Sequence, residues 1–232
     1  MFDEKSFIVA VEESFRMYKE RGARSTEKLK PLHKYIAGVL KSIWGNGFEV
    51  HYMGQDTKEL KVTGKYYPKK IDITITRNDK PVFCLGIKFV ISSLSSNIYN
   101  YFEQMMGETA NIQTKRIPYA QVIIFQHKTP KEDPSKGKNI AKIKLQKLRD
   151  QDIKKYMTLI NDPKKQYCPH SIGIPVIDIA WTKTRNKVSM TDVKKAFSED
   201  IAEALKTKLS LQHLFREIKK YKKEKYPSKR NG

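Results

Sequence analysis

Two charged residues lie inside segments that are otherwise apolar and strand-like. Asp72 interrupts the β-branched stretch 71–75, and Lys88 interrupts the apolar stretch 82–91. The polar residues 77–80 between the two stretches predict a tight turn and therefore a hairpin. This hairpin would make Asp72 and Lys88 neighbours without placing them directly opposite each other.

A carboxylate beside an ammonium group on adjacent strands suits phosphodiester hydrolysis. The carboxylate of Asp72 can hold Mg²⁺, while Lys88 orients the attacking water and offsets the charge that develops on the phosphate. A buried ion pair across the hairpin, with no catalytic role, is the alternative interpretation of the same two residues.

Three segments together resemble the PD-(D/E)xK nuclease superfamily, and most of all its type II restriction endonucleases. They are residues 64–72, the tripeptide 86–88 and residues 97–111. Asp72 matches the first acid of the motif, although Ile71 replaces the usual proline, and Lys88 matches the motif lysine. Gly86 departs from the pattern because the family usually has Asp or Glu there, and glycine cannot ligate a metal through a side chain.

The resemblance implies that the second acid comes from the following helix, as in some restriction endonucleases. Glu103 and Glu108 are the candidates, with 14 and 19 residues between them and Lys88. Family spacing favours Glu103, whereas the helical angles turn Glu103 well away from the apolar face and place Glu108 on its flank. We expect Asp72 and Glu103 to bind the metal, with a backbone carbonyl near Ile87, and keep Glu108 as the alternative.

The same predicted helix carries a row of amide side chains. Asn97, Asn100 and Gln104 are candidate contacts to phosphates or base edges, because amides can pair bidentately with adenine. An ordinary solvated helix face explains them equally well. Glu27, in an earlier helix, is a further candidate acid, and capping of its own helix is the simpler explanation.

The composition indicates a polyanionic partner. The 232 residues include 46 Lys and Arg against 25 Asp and Glu, a formal net charge of +21. Such an excess favours nucleic acid first and an anionic membrane surface second. We expect no membrane span, no secretion signal and no disulfide framework, and hence a cytoplasmic protein. The chain also lacks the glycine-rich motifs of nucleotide-binding loops, and its five histidines form no zinc pattern.

The order of apolar periodicities predicts an α/β or α+β fold, with a mixed central sheet flanked by helices. We expect a single restriction-endonuclease-like domain with a helical N-terminal part to about residue 45, a catalytic core to about 180 and a basic helical C-terminal part. The predicted helices are 5–18, 25–44, 97–114, 141–160, 190–206 and 210–223. The predicted strands are 48–52, 59–66, 70–76, 81–92, 120–125 and 172–180, with a surface loop at 128–139.

The function that these features predict is a Mg²⁺-dependent type II restriction endonuclease. By resemblance, it would cut double-stranded DNA to leave 5′-phosphates, and it would act as a homodimer on a palindromic site. Two alternatives stay open: a non-catalytic basic DNA-binding protein that retains a nuclease core, and a repair or RNA nuclease of the same fold.

Overall fold

The computed structural model describes residues 2–22, 25–54, 57–131, 144–162, 165–180 and 187–227. The α-helices within these ranges are α1 (Glu4–Arg21), α2 (Lys30–Trp44), α3 (Leu94–Gln113), α4 (Asp150–Asn161), α5 (Val193–Ala196), α6 (Glu199–Lys206) and α7 (Leu211–Lys225), and a 3₁₀ turn (Glu27–Leu29) precedes α2. The strands are β1 (Glu49–Tyr52), β2 (Lys61–Thr63), β3 (Pro68–Lys70), β4 (Ile73–Arg77), β5 (Lys80–Val90), β6 (Tyr119–Gln126), β7 (Lys128–Pro130), β8 (Leu145–Lys147), β9 (Ile172–Gly173), β10 (Val176–Ala180) and β11 (Lys187–Met190).

The central sheet is mixed, and this confirms the predicted fold class. Its strand order is β1-β4-β5-β6-β10-β11, with β9 also paired to β6. Strands β1, β4 and β5 pair antiparallel, β5, β6 and β10 pair parallel, and β11 returns antiparallel at the far edge. The β4–β5 hairpin closes through Asn78 and Asp79, whose φ values of 50° and 60° suit a two-residue turn that matches strand twist.

Helices cover both faces of this sheet. Helices α1, α2 and α7 pack on one face, where the odd-numbered apolar residues of β5 face inward. Helices α3, α4 and α6 pack on the other face, where two smaller apolar clusters lie. Alternation along β5 therefore assigns Gly86 and Lys88 to the α3 face. No helix in the described part of the chain has the length and apolar composition that a membrane crossing needs.

Six predicted elements differ in the structure. The predicted helix 190–206 is divided into α5 and α6, because Met190 pairs with Ile177 in β11 and Ser198 precedes α6 in an extended conformation. The predicted strand 59–66 is shortened to β2, which pairs with β3, and the predicted strand 70–76 is divided between β3 and β4 at the bend of Asp72.

The other three differences lie between residues 128 and 180. Residues 141–143 of the predicted helix 141–160 lie outside the described ranges, Leu145–Lys147 form β8, and α4 begins at Asp150 because Asp152 caps the backbone N–H of Arg149. The predicted strand 172–180 is divided at Pro175 into β9 and β10. The predicted loop 128–139 starts as β7, which pairs with β8, and residues 132–139 lie outside the described ranges.

Candidate active site

Asp72 lies at a bend directly before β4, where the alternation of the strand is interrupted. Ile71 packs in the cluster on the α3 face, and Ile73 packs in the core on the α2 face. The side chain of Asp72 therefore lies between the two layers, 32% exposed. Its Oδ2 accepts a hydrogen bond of 2.6 Å from the backbone N–H of Ile87.

A pocket of about 410 Å³ opens beside Asp72 on the α3 face. It brings together Asp72 from the bend before β4, Lys88 from β5 and Glu108 from α3. Three further lysines line it: Lys28, Lys69 and Lys70. The two charged residues that the sequence analysis singled out, Asp72 and Lys88, therefore line the same pocket. None of the predicted site residues lines three other pockets of the described chain.

The structure gives a physical reason for Gly86. A Cβ at this position would lie 2.1 Å from the hydroxyl of Tyr119 and 2.7 Å from Oε1 of Gln121, closer than real Cβ atoms approach other atoms. Gln121 lies opposite Gly86 on the neighbouring strand β6. The space that an acidic side chain would take at position 86 is thus filled by the Tyr119 hydroxyl.

That hydroxyl holds Glu108 in the pocket. Tyr119 is fully buried and its hydroxyl lies 3.0 Å from Oε2 of Glu108 and 3.0 Å from Oε1 of Gln121. Oε1 of Glu108 pairs with the ammonium group of Lys69. A carboxylate from α3 is therefore held next to the backbone position where the PD-(D/E)xK pattern has its second acid.

Glu103 lies elsewhere. It is exposed on α3, and it does not line the pocket. The helical angles turned Glu103 away from the packed face, and the structure agrees with them. The spacing from Lys88, which favoured Glu103, was the poorer guide to its position. Glu27 is also outside the pocket, where it pairs with Arg21 and Lys30.

Lys88 is half-buried, and its ammonium group lies 4.6 Å from the centroid of the Tyr101 ring. Within the described residues it makes no ion pair of 4 Å or less, unlike Lys69. A cation on the face of an aromatic ring keeps its hydrogen-bond donors available to a ligand. Lys88 can therefore donate to a bound water or phosphate, whereas the ammonium group of Lys69 is paired with Glu108.

The electrostatics of the pocket disfavour a second negative charge. Burial is the main cause that raises the pKa of Asp72 to about 6, and Glu108 adds to it, while the Ile87 N–H, Lys69 and Lys88 oppose it. Burial also raises the pKa of Tyr119 well above its usual range, with Glu108 and Asp72 contributing, so that Tyr119 stays a hydrogen-bond donor. A carboxyl group whose pKa is raised by burial and by a neighbouring acid is typical of a functional site.

His33 and Glu59 also approach Asp72, and the sequence interpretation missed both. His33 lies in α2 with no exposed surface, its Nε2 is 3.9 Å from Oδ1 of Asp72, and its Nδ1 is 4.0 Å from Oε1 of Glu59. Burial lowers the pKa of His33 to about 4, against an opposing effect of Glu59. Burial raises the pKa of Glu59, and Asp72 adds to that rise.

The predicted amide contacts are placed differently from one another. Gln104 is exposed and lines the pocket, and Asn100 is exposed on the same helix. Asn97 donates to the carbonyl of Ser93 at 3.0 Å, at the start of its helix. Asn97 therefore has a structural partner, whereas Gln104 has the position from which a ligand in the pocket can be reached.

Comparison of the chain with protein-family models, with curated proteins and with solved structures finds no match. The resemblance to restriction endonucleases therefore stays a prediction from the motif residues.

Proposed function

We propose that this chain is a divalent-metal-dependent endodeoxyribonuclease, of the restriction type that its motif resembles. The observation that carries the proposal is the meeting of Asp72, Glu108 and Lys88 in one pocket. Two acids and one amine, from the bend before β4, from β5 and from the following helix α3, form the chemical set that the motif requires. The proposal also includes a homodimer that presents one such site to each strand of a palindromic duplex.

The donor atoms of the pocket fit a hard divalent cation such as Mg²⁺. Oδ1 of Asp72 accepts no hydrogen bond from the described residues. The two oxygens of Glu108 contact Lys69 and the Tyr119 hydroxyl, and each oxygen keeps a second lone pair that can bind an ion. Carboxylate oxygens are the protein ligands that Mg²⁺ prefers. We assign Asp72 and Glu108 as metal-binding residues, with the predicted carbonyl near Ile87 as a third ligand.

A bound Mg²⁺ would polarise a phosphoryl oxygen and lower the pKa of a coordinated water. The protein groups act around that chemistry. Lys88 donates hydrogen bonds to the attacking water or to the phosphate and so offsets the charge that develops in the transition state. Water adds to phosphorus, the P–O3′ bond breaks, and the products are a 3′-hydroxyl and a 5′-phosphate.

The lysines around the pocket supply the attraction to DNA. Lys28, Lys69 and Lys70 line it together with Lys88, against the two acids Asp72 and Glu108. Ammonium groups in this arrangement neutralise phosphates and release counterions, which makes binding strong at low salt. The net charge of +21 for the whole chain has the same effect at longer range.

Cleavage of supercoiled plasmid after removal of metal with EDTA tests the proposal. Wild-type protein should give nicked and linear DNA only when Mg²⁺ or Mn²⁺ is returned. Asp72→Asn, Glu108→Gln and Lys88→Met should each lower the cleavage rate by about 100-fold or more while retaining DNA binding.

Glu103→Gln is the matched control, because it removes the same charge from the same helix outside the pocket. It should cleave within about threefold of wild type. Retardation of the plasmid without any strand break, in every divalent ion, would support the non-catalytic binding protein instead. Discrete bands would favour a restriction enzyme, and a smear would favour a nuclease of another role.

A further inference from the structure

His33 is a buried histidine with no hydrogen-bond partner on either ring nitrogen in the described chain. It has no exposed surface, although it lies in a helix that begins beside the candidate active site. A buried imidazole nitrogen without a partner loses its hydration and gains nothing in exchange. The proposed nuclease chemistry does not explain why such a group lies beside Asp72.

Two carboxylates approach the two nitrogens of this ring. Nε2 lies 3.9 Å from Oδ1 of Asp72, and Nδ1 lies 4.0 Å from Oε1 of Glu59. One ligand atom from each of the three residues can be chosen so that all lie within 4.8 Å of one another. The distances of 3.9 and 4.0 Å from the ring nitrogens to the two carboxylates are too long for hydrogen bonds.

The Nε2–Oδ1 distance of 3.9 Å lies within the range that one metal ion can span. Two ligand atoms about 2.1 Å from an octahedral ion lie about 3.0 Å apart in neighbouring positions and about 4.2 Å apart in opposite positions. Histidines that bind metals commonly donate the proton of the other nitrogen to a carboxylate, which fixes the ring and its tautomer. Glu59 lies on the Nδ1 side, where such a carboxylate is expected.

We propose that Nε2 of His33 and Oδ1 of Asp72 bind one divalent ion, with Glu59 as the residue that positions the His33 ring. The inference deepens the proposed nuclease function, on which it rests for the use of the ion. Asp72 lines the open pocket, so that an ion can reach this position from solvent.

The nitrogen ligand has a consequence for metal preference. Mg²⁺ strongly prefers oxygen ligands, whereas imidazole binds borderline first-row metals well. The site should therefore prefer Mn²⁺ to Mg²⁺ by more than a set of carboxylates alone would. Replacement of His33 should remove much of that preference, and replacement of Asp72 should weaken the binding of both Mn²⁺ and Mg²⁺.

Pulsed electron paramagnetic resonance of Mn²⁺ bound to the full-length wild-type chain tests the ligand directly. We expect modulation from one directly bound ¹⁴N nucleus. Its absence in Mn²⁺-loaded protein would overturn the inference. This measurement needs no substitution, so the stability of a variant does not affect it.

Calorimetric titration of EDTA-treated variants with Mn²⁺ and with Mg²⁺ gives the second measurement. His33→Gln should lower the ratio of Mn²⁺ to Mg²⁺ affinity by about tenfold, and Glu59→Gln should weaken Mn²⁺ binding by about tenfold. His213→Gln, on α7, is the control and should change neither affinity. An unchanged affinity ratio in a folded His33→Gln protein would refute the role of His33.

These results are distinguishable from the outcome for the nuclease. If the wild type shows the nitrogen signal but cleaves no DNA, the proposed function fails and the metal site stands. If it cleaves DNA with Mg²⁺ or Mn²⁺ but shows no nitrogen signal, the metal site fails and the nuclease stands.

Discussion

The contact between Gly86 and Tyr119 can be tested by adding a single carbon atom. In Gly86→Ala the new Cβ would lie 2.1 Å from the Tyr119 hydroxyl and 3.1 Å from its Cζ. Both residues belong to paired central strands, and the Tyr119 ring is fully buried. The ring must therefore shift, and its hydrogen bond of 3.0 Å to Glu108 is lost.

The size of the effect follows from two terms. Overpacking of a core costs about 1–3 kcal/mol, and loss of a hydrogen bond to a charged group costs about 1.5–3 kcal/mol. We expect Gly86→Ala to lower the free energy of unfolding by about 3 kcal/mol and Tyr119→Phe by about 1.5 kcal/mol. Removal of the hydroxyl relieves the closest clash and leaves the contact of 2.7 Å with Oε1 of Gln121. The double variant should therefore lose only about 2.5 kcal/mol, a coupling of about −2 kcal/mol.

Urea unfolding of the four proteins at pH 7 in EDTA measures this cycle. Gly107→Ala is the matched control on α3, because a Cβ there meets no atom within 4 Å and alanine favours the helix. It should leave stability unchanged or raise it by up to about 1 kcal/mol. Additive effects of the two substitutions, or a Gly86→Ala protein as stable as wild type, would refute the packing argument.

Three other variants follow from the same structure. Asn111→Ala removes the side chain that accepts a hydrogen bond of 2.9 Å from the backbone N–H of Tyr66. Urea unfolding should show that this variant loses about 1–3 kcal/mol of the free energy of unfolding. The exposed control Asn100→Ala should lose less than about 0.5 kcal/mol. In metal-free protein the pKa of His33 is lowered to about 4, so the folded wild type loses stability as pH falls from 6.5 to 4 and the unfolded chain takes up the proton. The stability of His33→Gln relative to wild type should therefore rise over this range. The stability of Asp72→Asn relative to wild type should fall as pH falls from 6 to 4. The reason is that Asp72, with a pKa raised to about 6, takes up its proton in the folded wild type and so stabilises it over this range. Melting temperatures from pH 4 to 8 measure both, and parallel curves for the three proteins would contradict the pKa assignments.

Periodicity predicted most of the fold, since long amphipathic and apolar segments have few alternatives. The helix 25–44 and the strands on either side of the turn at 77–80 lie close to where the pattern placed them. One boundary that failed depends on a contact between segments distant in sequence. The strand Leu145–Lys147 exists because it pairs with Lys128–Pro130, and its own three residues carry no strand signal.

The candidate site was predictable only in part. Asp72 and Lys88 stand out because each interrupts an apolar run, a signal that the sequence contains. The position of Glu108 depends on Tyr119, which lies in a strand whose pairing with β5 is not encoded locally. Spacing along the chain consequently favoured Glu103, which the fold leaves outside the pocket.

His33 carried a signal that the sequence interpretation did not use. Counting along α2 places it on the same face as Ile36, Ala37 and Leu40, which are all buried. A histidine on such a face either forms hydrogen bonds within the core or binds a ligand. Its approach to Glu59 is a tertiary contact between distant segments, and no pattern in the sequence indicates it.

Hydrolysis of a defined DNA duplex in H₂¹⁸O, analysed by mass spectrometry, tests the central claim most directly. With Mg²⁺ or Mn²⁺ present, we predict fragments whose new 5′-phosphate carries one ¹⁸O atom, and no fragments in EDTA or with Asp72→Asn protein. A duplex that the protein binds but leaves intact in every divalent ion would contradict the assignment of Asp72, Glu108 and Lys88 as a nuclease site.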